Sequence, residues 1–174
     1  TARYGHEADG RTPAQRAEAH GYEYCIVLEN IAHQYSSEGY TTAALAERLA
    51  HGWERSPPHR KNLLDPHVTD TGAAIARSAK DGRYYAVQMF GLPASRMTEF
   101  RITNESPATV RYRIDGRSQS LAPRATGTHS RCRPGRVTFQ WPDGQQATHI
   151  EPAAGEHYVV TRPGSGAWAV TRGP

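Results

Sequence analysis

Ser56 stands three residues before His59, with Pro57 and Pro58 between them, a spacing at which an imidazole could take a proton from a hydroxyl. The chain has no Gly-x-Ser-x-Gly elbow to present such a nucleophile, and ending a helix or forming a turn is the simpler role for Ser56. Histidine also binds metals, but no His-Glu-x-x-His occurs, and two cysteines exclude a zinc site built on cysteines alone. Gly164-Ser165-Gly166 is not followed by a helical pattern, so it reads as a turn and not a phosphate loop. Arg111, Arg113 and Arg117, with Arg131, Arg133 and Arg136, could form a stripe on the outer face of a sheet, with Tyr112 and Ile114 pointing inward. Such charge suits an anionic cell-envelope polymer; no nucleic-acid motif accompanies it, so nucleic acid is not an expected partner.

The elements that position these residues fall into two textures. At 174 residues and 19.2 kDa the chain holds one ordinary domain or two small ones. No apolar run approaches the ~20 residues of a membrane span. The net charge of +4 divides unevenly. Residues 1–94 hold 10 basic against 11 acidic side chains, and residues 95–174 hold 11 against 6, so the whole excess lies in the second part. Thr12, Pro13 and Gln15, with Gly21 beyond, predict a capped helix over residues 11–20. A second helix starts at Thr41 or Thr42, puts Leu45, Leu49 and Trp53 on one face, and stops at Ser56-Pro57-Pro58. Residues 71–79 and 83–90 read as a hairpin around Lys80-Asp81-Gly82. Beyond Pro93 the helical periodicity ends. Strands are expected at 100–102, 110–114, 137–141, 147–150, 158–161 and 167–171, separated by turns such as Asp115-Gly116 and Asp143-Gly144. That spacing predicts a small antiparallel sandwich or barrel over residues 94–174.

Several motifs in the first part occur in a recognisable order. Gly5-His6 precedes Asp9-Gly10-Arg11-Thr12-Pro13 and Arg16, followed by Gly21-Tyr22-Glu23-Tyr24 and Glu29-Asn30-Ile31-Ala32. Trp53, Ser56-Pro57-Pro58-His59-Arg60-Lys61-Asn62-Leu63-Leu64, Gly72 and Gln88-Met89-Phe90-Gly91 complete the series. The order resembles the bacterial branch of the CAP superfamily, or SCP domain, which takes in cysteine-rich secretory, antigen 5 and pathogenesis-related proteins. The resemblance spans residues 4–93 and implies an α+β fold. A CAP-like α-β-α sandwich is expected at residues 1–93, followed by the all-β domain at 94–174. The family's long opening helix normally precedes the segment around His6, so the sandwich is expected to be shortened at its N-terminus. An extracellular or periplasmic location is also implied.

The resemblance further implies a cleft lined by histidine and glutamate. His6 matches the first histidine and Glu29 the glutamate of the Glu-Asn-Ile-Ala run. Ser56 stands where animal and plant members have a second glutamate, with His59 close by, and Tyr85 stands where they have a second histidine. Asn62 and Gln88 are expected in the same hydrogen-bonded surroundings. The expected function is non-enzymatic binding of a ligand or protein partner in this cleft. One alternative is a metal-dependent hydrolase: His6, Glu29 and His59 would give three ligands to a divalent ion such as zinc, with water in the fourth place. The other treatment of the same residues is a polar cluster in which Glu29, in a loop before the second helix, ties that loop to His6 or backbone donors. Paired-carboxylate glycoside chemistry finds only Glu29, because Glu54 is expected to face solvent. The secreted habit of the family makes a Cys25–Cys132 disulfide plausible against two buried thiols. In the chain-entropy model, closing a loop of about a hundred residues would stabilise by roughly 4.7 kcal/mol.

Overall fold

A computed structural model describes residues 4–174. The chain divides into two compact units, Thr1–Arg96 and Met97–Pro174.

In the first unit, α1 (Pro13–Ala19) begins at a reciprocal cap. The Thr12 hydroxyl accepts from the Gln15 N–H at 3.2 Å, and the Gln15 side chain accepts from the Thr12 N–H at 2.8 Å. These bonds satisfy two donors that the first turn leaves open. In α2 (Thr42–Arg55), capped by Thr41, Leu45, Leu49 and Trp53 are buried in a cluster with Ala86, as their four-residue spacing predicts. Each large side chain of this kind stabilises by about 1.5–3 kcal/mol on full burial. Ser56 ends α2, and Pro57 and Pro58 then open a further helix, α3 (Pro57–Leu63). The prolines that stop one helix suit the first turn of the next, where their missing N–H groups would have no partner.

The larger departure is β1 (Tyr24–Gln34), an eleven-residue strand where a loop around Glu29 was expected. Its Ile26-Val27-Leu28 and Ile31-Ala32 are apolar at both parities, so the run shows neither helical nor alternating periodicity. With β2 (Asp70–Arg77) and β3 (Tyr84–Pro93) it forms an antiparallel sheet in the order β1-β3-β2. Glu29 pairs with Met89, Ile31 with Val87 and His33 with Tyr85, which sets those six on one face. Leu28 with Phe90, Asn30 with Gln88 and Ala32 with Ala86 take the other. α1 reaches the first face through Arg16, and α2 and α3 cover the second, so the unit is a three-layer α-β-α sandwich. β2 is exposed along its whole length.

The second unit is two four-stranded sheets. One is β11-β10-β4-β7 and the other β6-β5-β8-β9. The strands are β4 (Thr98–Asn104), β5 (Val110–Ile114), β6 (Arg117–Leu121), β7 (Thr126–Arg131), β8 (Val137–Gln140), β9 (Thr148–Ile150), β10 (His157–Thr161) and β11 (Ala169–Arg172). Phe100, Ile102, Tyr112, Val137, Phe139 and Val160 fill the core between them, and Trp141 stacks between Phe139 and Trp168. The expected sandwich is not wholly antiparallel, because β10 runs parallel to β4. β6 and β7 were not foreseen. Each is the outer strand of its sheet, and their Arg-Ser-Gln-Ser and Thr-Gly-Thr-His-Ser runs carry no apolar signal. The arginine stripe is corrected too. Arg111 and Arg113 face outward from β5, but Arg131 is buried on β7 and ion-paired with Asp115.

Candidate functional site

Glu29 is the centre of the first unit's polar cluster. Its side chain is only 2% exposed, and both carboxylate oxygens are engaged. His6 Nδ1 donates to Oε1 at 2.7 Å, and Arg16 Nη2 donates to Oε2 at 2.5 Å. A carboxylate oxygen carries no proton to give, so His6 holds its hydrogen on Nδ1 and turns Nε2 away from Glu29. Arg16 does more than neutralise the carboxylate. Its Nη1 donates to the His6 carbonyl at 2.8 Å, to the Arg11 carbonyl at 2.9 Å and to Asp9 Oδ1 at 3.3 Å. One guanidinium thereby fixes the loop that carries His6, and the capping box at Thr12 fixes the helix that carries Arg16.

Around this cluster the sheet face is apolar and open. On one side lies a groove of about 430 Å³ lined by Val27, Val87, Met89, Gly72 and Tyr22. On the other lies a groove of about 380 Å³ lined by Ile31, Ala74, Ala76, Tyr85 and Tyr4. Arg16 and Glu29 border both. The Tyr22 hydroxyl donates to Asp70 Oδ2 at 2.8 Å, and burial followed by that bond pushes its pKa up to about 12. The Tyr22 ring lies so close over Gly91 that any Cβ there would run into it. Tyr85 sits with Tyr4 and His33 in an aromatic cluster, and its hydroxyl donates to Asp81 in the β2–β3 turn, which raises its pKa.

The seven residues expected in one cleft divide between the two faces of the sheet. His6, Glu29 and Tyr85 share the α1 side. Ser56, His59, Asn62 and Gln88 belong to the α2/α3 side. There Asn30 Nδ2 donates to the His59 carbonyl at 3.1 Å, and Asn62 Nδ2 donates to Asn30 Oδ1 at 2.9 Å and to the Glu29 carbonyl at 3.2 Å. His59 Nδ1 and Ser56 Oγ are 2.8 Å apart. Gln88 borders a separate groove with Leu49 and Trp53. The reason is strand alternation: Glu29 and Asn30 are neighbours in β1 and must point to opposite faces. The set His6, Glu29 and His59 is therefore not assembled as metal ligands, and among the described residues no group of three His, Cys, Asp or Glu side chains is placed to hold an ion. A zinc ion does not fit the donors present, since both Glu29 oxygens are already taken.

Sequence reading missed the part played by Arg16. A usable signal existed, because Thr12 at the cap places residue 16 one turn into the helix, but its partner emerges only once Glu29 is known to lie in a strand. The disulfide expectation holds: neither cysteine is free, Cys25 and Cys132 are both disulfide-bonded, and the chain has no other cysteine. No helix among the described residues is long and apolar enough to cross a membrane.

The three-layer α-β-α sandwich is the architecture that the motif order implies, although Glu29 lies in its sheet and not in a loop. Residues 2–90 match the model of CAP, the cysteine-rich secretory protein family, and the chain belongs to that family. No curated protein matches the chain. Among solved structures it is similar to the N-terminal domain of AlgF from P. aeruginosa, determined by CS-Rosetta. The identity is 19%, over 45% of this chain and 95% of that one, with a TM-score of 0.33.

Proposed function

We propose that the first unit is a non-enzymatic binding module that takes a ligand or partner segment into the open face beside His6 and Glu29. The observation that carries this reading is the pairing of a committed carboxylate with apolar, solvent-open walls. With Glu29 engaged by Arg16 and His6, a group bound beside the cluster would meet the His6 Nε2, on a side chain 51% exposed, and the polar groove residues His20 and Asp70. Val27, Val87, Met89 and Ile31 would cover an apolar portion of the same ligand. An extracellular or periplasmic location belongs to the same proposal and is supported by the disulfide, which persists in oxidising compartments.

The test uses a hydrophobic fluorescent probe, 8-anilinonaphthalene-1-sulfonate, on the whole chain. Gly72 borders the larger groove, and a Cβ there meets nothing within 4 Å, so Gly72→Phe introduces a large side chain at the groove wall. Probe affinity should fall about fivefold or more with an unchanged melting temperature. Equal binding by wild type and G72F would remove the groove from consideration.

A further inference from the structure

In the second unit, β6 and β7 are the outer strands of opposite sheets, and the positions that pair with core residues carry polar side chains on both. On β5 the inward residues are Val110, Tyr112 and Ile114, all in the core. On β6 the residues paired with Tyr112 and Ile114 are Gln119 and Arg117. On β7 the residues paired with Phe100 and Thr98 are His129 and Arg131. Four inward positions thus carry hydrogen-bonding or charged groups where a sandwich places apolar ones. These four, with Asp115, line an open cavity of about 510 Å³. That volume lies in the range of small-molecule sites.

The electrostatics of the cavity favour an anion. Arg131 has a side chain 5% exposed; its Nη2 pairs with Asp115, and its Nη1 donates to the Gly135 carbonyl at 2.9 Å. Its buried Nε has no hydrogen-bond partner. A buried donor left open is costly, so native proteins rarely keep one without a reason. Asp115 balances Arg131, which leaves the exposed guanidinium of Arg117 as an unpaired charge among the described residues lining the cavity. Burial lowers the His129 pKa, which favours its neutral form, and its Nε2 is 2.9 Å from the Tyr112 hydroxyl.

We infer that this cavity binds the oxyanion group of a small ligand, a carboxylate or a phosphate, between the Arg117 guanidinium and the Gln119 amide, with the Asp115-paired Arg131 lining the same wall. A planar guanidinium matches both groups through paired N–H donors. The inference is independent of the groove in the first unit.

Nitrogen-15 NMR of the whole chain reads it directly through the arginine Nε–Hε resonances. Sodium phosphate and sodium glucuronate are titrated separately against sodium chloride at matched ionic strength. The expected result is a saturable shift of the Arg117 and Arg131 signals with one or both probes and none with chloride. The stronger probe identifies whether phosphate or carboxylate is preferred. Arg117→Gln should weaken the binding about tenfold or more, the loss of one charged hydrogen bond. Arg111→Gln, on the outer face of β5, should leave it unchanged. Arg117 is exposed, and an unchanged backbone spectrum verifies the fold of its variant. The inference is overturned if neither probe gives a saturable shift, if R117Q binds like wild type, or if R111Q weakens binding equally.

Discussion

Replacing Arg16 with Met tests whether Glu29 is held as a buried, compensated charge. The substitution keeps an apolar stem of similar reach and removes the guanidinium. Glu29 Oε2 then loses its 2.5 Å donor, and a side chain 2% exposed cannot turn to water. Removing one partner of a buried ion pair costs about 3–5 kcal/mol. Arg16 itself is 23% exposed, so water replaces part of what it supplied, and about 3 kcal/mol is the working figure. If the chain melts in one transition, that corresponds to a fall of about 6–12 °C in Tm. The assay is urea unfolding of wild type, Arg16→Met, Glu29→Gln and the double variant. Because Glu29→Gln removes the charge that Arg16 compensates, the double variant should recover at least about 1.5 kcal/mol relative to additivity. A cost below about 1 kcal/mol for R16M, or strict additivity, would refute the claim that this pair organises the site.

Two other outcomes are expected. Titration of the unfolded chain should find no free thiol before reduction and two after it, and any thiol before reduction contradicts the Cys25 and Cys132 bonding state. The second concerns His129, whose imidazole is shifted to lower pKa by burial, with its Nε2 facing the Tyr112 hydroxyl and its ring against Phe100. The unfolded chain takes up this proton at higher pH than the folded one. The stability His129 permits is therefore full above about pH 6.5 and declines as pH falls from there toward the lowered folded value, by at most about 1.4 kcal/mol per pH unit. Arg131 and Arg117, lining the same cavity, oppose protonation in the same direction, whereas Asp115 favours it. His129→Gln should flatten the stability profile between pH 6.5 and 5, and an unaltered slope would count against the assignment.

Local chemistry was legible wherever neighbours in sequence decide the structure. The Thr12 box, the Leu45, Leu49 and Trp53 stripe, and the alternation of Val110, Tyr112 and Ile114 each depend on contacts within a few residues or on one buried face. The misreadings share a cause. Residues 24–34 are apolar at both parities and residues 117–121 and 126–131 lie at sheet edges, so the first run has no alternation and the other two have no apolar run. The proline pair after Ser56 signals an ending, and nothing local requires that another helix follow it.

Periodicity and turn spacing were enough to separate an α+β unit from an all-β one, and the motif order carried membership of the cysteine-rich secretory family. It also supplied His6 and Glu29 as members of one site. Which candidates meet depends on how the strands pair. Strand pairing put Glu29 with Met89 and Asn30 with Gln88, sending His6, Glu29 and Tyr85 to one face and Ser56, His59, Asn62 and Gln88 to the other. A motif records order along the chain, whereas the side on which a strand residue emerges depends on a register set by partners some sixty residues away.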